Sequence, residues 1–236
     1  MFYNLWVVVK GHASAPGLTT VEAVQDDLER RILGGELVPG QRLKEVELAA
    51  GYGVGRHSVR SAFDALVSRG LLVRAPNRGV WVPIPTESDV RGLFELRALL
   101  EVEAFRRAAA AGEVPPAALA ALKRLERLPP DARFEEINEC DVSFHCAVVD
   151  RLANRRISRI YRELRAEEAF SRRIRLEQWG RIHDERVREH ERLLVALRSS
   201  DADAGERAIR AHLAWSLRQW RAAWERAEDC STILSR

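Results

Sequence analysis

The feature that most limits how this chain can fold is a change of pattern at Pro83-Ile84-Pro85-Thr86-Glu87-Ser88-Asp89. Before it, helical stripes alternate with Gly-rich turns and two short apolar runs. After it, only helical periodicity remains. Proline disfavours continued regular structure, and Thr86 or Ser88 can cap a following helix. A chain of 236 residues is long enough for one core on each side of such a linker. The sequence therefore divides into a domain at 19–84, a linker at 85–89 and an all-helical domain at 90–228. Residues 1–18 read as a loosely ordered extension and residues 229–236 as a tail. The apolar run at 5–9 is far too short to span a membrane, and no other stretch is long enough, so no membrane partner is expected.

In the first domain, Val21, Val24, Leu28, Ile32 and Leu33 make a helical stripe, capped by Thr20 or by a Thr19/Glu22 capping box. Gly34-Gly35 stops it, and Leu37-Val38-Pro39-Gly40 is a turn. A short helix at 45–50 and a longer one at 56–69 flank Gly51-Tyr52-Gly53-Val54-Gly55. Two helices joined this tightly match a helix-turn-helix. Leu71-Leu72-Val73 and Val80-Trp81-Val82 then form a β-hairpin wing around Arg74-Ala75-Pro76-Asn77-Arg78-Gly79. The fold class is thus mainly α: an N-terminal winged helix-turn-helix with a small β-hairpin wing, then a C-terminal all-α antiparallel helical bundle.

Charge supports a nucleic-acid role for the winged part. From Arg56 to Arg78, five arginines face Asp64 alone, a local charge of +4, while the whole chain carries +3. Arg56, His57, Ser58 and Arg60 give the last helix a basic, hydrogen-bonding first turn, as a major-groove reader requires. A winged domain used only for protein contacts is the competing reading. Cys140, Cys146 and Cys230 form no CxxC pair, which suits a reducing cytosol and a cytoplasmic protein.

In the second domain, helices are expected at 90–111, 117–128, 134–152, 157–179, 183–199 and 204–227. The first has Leu93, Leu96, Leu99, Leu100 and Ala104 on one side, and pairs Arg97 with Glu101 one turn apart. The Arg-rich run from Arg155 to Arg192 is interleaved with acids and reads as a solvated face. Trp215, Trp220 and Trp224 read as core or dimer packing.

Asp141 and His145 lie four apart and share a helix face. His190 and His212 lie nearly equal distances before and after the polar turn near Ser200-Asp201, so an antiparallel helix pair can set them side by side. Three imidazoles and a carboxylate suit a first-row divalent metal better than calcium. An Asp–His pair at this spacing is usually a solvated ion pair or a helix N-terminal contact, which is the competing reading. His183, two turns before His190, reads as a surface residue.

Ile32-Leu33-x-Gly35-x-Leu37-x-Pro39-Gly40-x-Arg42-Leu43, Glu47-Leu48-Ala49, Gly53-Val54-Gly55-Arg56-x-x-Val59-Arg60, Leu66-x-x-x-Gly70-Leu71 and Arg78-Gly79 resemble the winged helix-turn-helix of GntR-type bacterial transcription regulators. The resemblance implies DNA contacts from Arg56 and Arg60 with Ser58 and Gly79 nearby, and Arg42, His57 and Arg78 complete the expected DNA-binding set. Family members often carry Ser-Arg-Thr-Pro where this chain has Gly55-Arg56-His57-Ser58, so the operator sequence does not transfer. Glu95-Leu96-Arg97-x-x-x-Glu101, Asp141-x-x-Phe144-His145, Asn154, Glu189-His190 and His212-Leu213 resemble the all-helical FCD-type domain of the FadR branch. That resemblance implies a divalent transition metal (zinc, nickel or manganese) on Asp141, His145, His190 and His212. It also implies a small organic acid effector, with Arg97 as its anion partner; a surface pair of Arg97 with Glu101 is the alternative.

The expected protein is a homodimeric regulator, a repressor by family habit, that binds a palindromic double-stranded operator and is not an enzyme. A metal-dependent enzyme fused to a DNA-binding module and a metal-free regulator sensing acids or acyl chains are the other readings.

Overall fold

The computed structural model describes residues 19–75, 79–129, 131–173 and 183–234. The expectations for residues 1–18, for Arg78 and for the side chains of Trp224 and Cys230 lie outside the described residues. The chain divides after Pro85 into two compact units.

In the first unit, α1 (Thr20–Leu33) begins at the Thr19/Glu22 capping box and buries Val24, Leu28 and Ile32. β1 (Arg42–Leu43), α2 (Glu45–Tyr52) and α3 (Arg56–Ser68) follow. Gly53 takes a left-handed conformation between the two helices, where a side chain would be strained. The α1 stripe meets Val59, Phe63 and Leu66 of α3, all fully buried. β2 (Val73–Ala75) and β3 (Gly79–Trp81) make the wing.

Two details differ from the pattern-based expectation. The wing has a third, two-residue strand: β1 pairs antiparallel with β3, so that the order is β1-β3-β2 and Arg42 lies opposite Trp81. Two residues are too few for alternation to reveal. The outgoing strand starts at Val73 rather than Leu71, because the amides of Leu71 and Leu72 both donate to the Leu66 carbonyl and close the end of α3.

The second unit is helical throughout its described residues. Its helices are α4 (Glu87–Ala110), α5 (Pro116–Glu126), α6 (Phe134–Val149), α7 (Arg155–Arg173), α8 (His183–Leu197) and α9 (Ala202–Leu234), with a 3-10 turn at Asp150–Leu152 after α6. Thr86 and Asp89 form the capping box of α4. Helix α9 runs well past residue 227, through most of the expected tail. The buried face of α4 is Val90, Phe94, Arg97, Glu101, Ala104, Phe105 and Ala108; of the expected stripe, Ala104 is buried and Leu93 and Leu100 pack partly buried against the core, whereas Leu96 is 50% exposed and Leu99 72%. The Arg97/Glu101 pair occupies core positions, which turns Leu96 and Leu99 outward. Among the described residues, no helix is long and apolar enough to cross a membrane.

Helix α9 approaches α4 tightly at Gly205, where a Cβ would sit 2.6 Å from the Phe105 carbonyl oxygen and 2.7 Å from the Ala109 Cβ. Gly205→Ala gains about 1 kcal/mol of helix propensity. Overpacking against a fixed backbone costs about 1–3 kcal/mol, so the substitution is expected to be destabilising on balance. Thermal unfolding checks this; an unchanged or raised midpoint would contradict the close crossing.

Candidate metal centre and nucleic-acid interface

Asp141 and His145 come from α6, His190 from α8 and His212 from α9. One possible ligand atom from each lies within 4.8 Å of the others, and all four residues are buried. The three imidazoles form a triangle, with ring centroids 4.9 Å (His145–His212), 5.0 Å (His190–His212) and 5.3 Å (His145–His190) apart. The turn between α8 and α9 that aligns His190 with His212 has Ser200 at φ 54°. His183 is also buried, at 6% exposure, rather than on the surface, but it stands outside this group.

The groups behind the imidazoles orient them. His190 Nδ1 lies 2.9 Å from the Arg186 carbonyl oxygen, to which it can donate, leaving Nε2 as acceptor. His145 Nδ1 lies 2.7 Å from Glu101 Oε2. His190 Nε2 then sits 3.3 Å from Asp141 Oδ1. Ligand atoms each about 2.1 Å from one ion stand about 3.0–4.2 Å apart, so this pair fits a shared metal without rearrangement. Among the described residues, His145 Nε2 and His190 Nε2 are buried without a hydrogen-bond partner, while His212 Nδ1 lies 3.8 Å from Glu189 Oε2, behind its ring as Glu101 is behind that of His145. Three imidazoles and a carboxylate brought together in this way suit a divalent transition metal.

Ion pairs surround the group; of these the sequence pattern revealed only Arg97–Glu101, which is buried rather than on the surface. Arg165 of α7 and Arg186 of α8 are buried, not part of a solvated face. Arg165 donates to Asp141 Oδ2 and to Glu168, and Arg186 Nη1 lies 3.3 Å from Asp141 Oδ1. Arg97 is fully buried; its Nε donates to Glu101 at 2.6 Å and its Nη1 to both Glu168 oxygens at 2.9 and 3.0 Å. The missed signal was positional: Tyr161, Leu164, Arg165 and Glu168 continue one helical stripe, so two charges sit where apolar residues would.

Burial dominates the electrostatics. It lowers the His145 pKa to about 4 against the opposing pull of Glu101, and holds His212 well below 6.5, helped by His145 and His190. Burial would raise the Glu101 pKa, but Arg97 and then His145 hold it well below the usual carboxylate range. Burial would likewise lower the Arg97 pKa, but Glu101 and Glu168 hold it well above its ordinary value.

In the first unit, Arg56 and His57 are exposed at the start of α3, with Ser58 half-buried beside them. Arg60 is exposed and bonded to Glu45 at 2.7 Å. Arg42 lies over the Trp81 ring at 5.6 Å, and its Nε would meet a Cβ on Gly79 at 3.3 Å. The structure therefore brings Arg42, Trp81 and Gly79 together on the sheet.

A winged helix-turn-helix followed by an all-helical unit is the architecture of a bacterial transcription regulator. The family of bacterial regulatory proteins called gntR matches residues 20–82, and the FCD domain matches residues 92–214. The chain therefore belongs to the GntR family of transcription regulators and carries an FCD domain. It is 28% identical to the Nta operon transcriptional regulator of Aminobacter aminovorans over 74% of this chain and 82% of that one. It is also 28% identical to the HTH-type transcriptional repressor RspR of Escherichia coli K12, over 79% and 82%. A GntR transcriptional regulator from Rhodococcus sp. RHA1 shares the fold, with a TM-score of 0.74 at 24% identity over 86% of this chain and 98% of that one. These domains and relatives are regulators, not enzymes, which removes the enzyme reading.

An imidazole that stays neutral down to about pH 4 when folded takes up its proton near pH 6.5 when unfolded. Between those values the unfolded chain binds more protons, so stability falls as pH drops through that window and is level above it. The thermal midpoint of chelator-treated protein is expected to fall from about pH 7 to about pH 5, and less so in His145→Gln. A flat profile would contradict the buried neutral imidazole.

Proposed function

We propose that this chain is a FadR-branch GntR regulator, a cytoplasmic homodimeric repressor whose hold on a palindromic double-stranded operator is relieved by a small organic acid. The acid is sensed in the helical unit, at a divalent transition metal (zinc, nickel or manganese) held by Asp141, His145, His190 and His212. The observation that carries this reading is the buried group itself: Asp141, His145, His190 and His212 each offer a ligand atom within 4.8 Å of the others, and His145 Nε2 and His190 Nε2 have no hydrogen-bond partner. Each unsatisfied buried polar atom costs about 1–3 kcal/mol, and an ion held by the group would satisfy these together. Four protein ligands leave positions open on a six-coordinate ion, where a carboxylate or hydroxy-acid can bind. Arg97 supplies a guanidinium for the same acid. On the DNA side, Arg56, His57, Ser58 and Arg60 of α3 face the operator, with Arg42, Arg78 and Gly79 at the wing. The exposed Leu96 and Leu99 on α4 give a second copy of the chain an apolar strip to cover, in keeping with a dimer on two half-sites.

One observation favours a second reading, a metal-free acid sensor. Arg165 and Arg186 both bond to Asp141, and guanidinium groups can balance its charge without an ion.

Elemental mass spectrometry separates the two. Wild-type protein incubated with zinc, nickel or manganese is expected to hold about one equivalent of metal, lost in folded His190→Ala. A wild type that stays metal-free would overturn the metal reading. For the DNA side, Arg56→Ala is expected to weaken duplex binding about tenfold and to reduce the salt slope by about one. Fluorescence titration across salt concentrations measures both. Metal loss in folded Arg56→Ala would sink the division of labour between the units.

A further inference from the structure

Glu168 has no part in the reading above, yet it holds the most unusual position in the helical unit. Its carboxylate lies between two buried arginines, accepting from Arg97 Nη1 at 2.9 and 3.0 Å and from Arg165 Nη1. Each arginine already has another acid: Glu101 on Arg97 Nε, and Asp141 on Arg165 Nη2. Glu168 is therefore the anion that these two arginines share, and nothing of it reaches solvent at 0% exposure. It does not saturate the site. Among the described residues, Arg97 Nη2, Arg165 Nε and the Tyr161 hydroxyl are buried donors with no acceptor. Tyr161 faces the same charges, since Glu101, Arg165 and Arg97 all act on its hydroxyl.

Chemically, this is a carboxylate-binding subsite filled by the chain's own carboxylate. It is also next to the candidate metal centre: one guanidinium, that of Arg165, holds Glu168 on Nη1 and the Asp141 carboxylate on Nη2.

We propose that Glu168 is a built-in occupant of the effector site, and that the effector is a short dicarboxylate whose distal carboxylate displaces Glu168 from Arg97 and Arg165. This rests on the reading of the helical unit as an acid sensor. The proximal carboxylate takes the Asp/His centre, and the unsaturated donors of Arg97, Arg165 and Tyr161 favour the incoming group over the resident one. The element whose equilibrium changes is then the Arg97–Glu168 pair, which ties α4 to α7. A ligand shifts such an equilibrium only through its differential affinity, and here the difference is the exchange of an internal carboxylate for an external one. An internal competitor lowers apparent affinity by the fraction of molecules in which it has left, and removing it raises that affinity.

Two variants test this, alongside wild type. Glu168→Ala leaves a carboxylate-sized space flanked by two buried guanidinium groups. Acetate is expected to raise its thermal midpoint by several degrees, with no effect from acetamide and none on wild type. Equal responses to acetate and acetamide, or an equal acetate response in wild type, would overturn the proposal. Where Glu168→Ala does not fold, Glu168→Gln keeps the volume and removes the competing charge. Zinc-treated Glu168→Gln is expected to bind succinate about tenfold more tightly than wild type by calorimetry, with acetate binding unchanged. No gain in the variant, while wild type binds succinate and His190→Ala does not, would overturn the proposal and leave the sensor reading intact. No binding of any acid by either protein would overturn both.

Discussion

The helical unit depends on a closed circuit of buried charge. It runs from Asp141 to Arg165, Glu168, Arg97, Glu101 and His145, and returns to Asp141 one turn away on α6. Isolated buried charges are costly, and an ion pair offsets that cost only when its remaining hydrogen bonds are also met. Linking α4, α6 and α7 through one circuit meets most of them and fixes the side chains that face the histidines. Removing one partner from such a pair typically costs about 3–5 kcal/mol, because the other charge stays behind unmatched. Apolar packing around it, with Phe105, Phe144 and Leu193 each at most 1% exposed, keeps water from relieving that penalty.

The winged unit uses charge in the opposite way. Its ion pairs, such as Arg60–Glu45 and Arg74–Asp64, lie at the surface and are worth about 0–1 kcal/mol each. Its stability comes from the apolar contact between α1 and α3. The arginines can therefore exchange partners, as contact with a phosphate backbone demands. The same residue type serves as a fixed internal strut in one unit and an exchangeable surface cation in the other.

Much of this was legible in the sequence because the determining interactions are local. The Thr19/Glu22 capping box spans three residues, Thr86 was one of two caps offered for α4, and the Asp141–His145 pair spans four. The meeting of His190 and His212 could be read from their near-equal distances to one turn. Arg165 and Glu168 showed only as a continuation of the Tyr161/Leu164 stripe, and Arg186 not at all. Alternating signs along a helix normally mark a solvated face, and only tertiary packing shows which of those charges turn inward. The exposure of Leu96 and Leu99 has the same origin, since a salt bridge took the core side of α4. The third strand of the wing was too short to carry a period.

The circuit also bears on how the sequence can change over time. A surface charge can drift alone, because water stands ready to replace its partner. A member of the Arg97–Glu168–Arg165 chain cannot, since any single replacement strands an odd charge inside the unit. Descendants of this chain should therefore keep these residues together or exchange them in compensating pairs. A lineage that lost the acid at 168 would be expected to carry a matching change at Arg97 or Arg165.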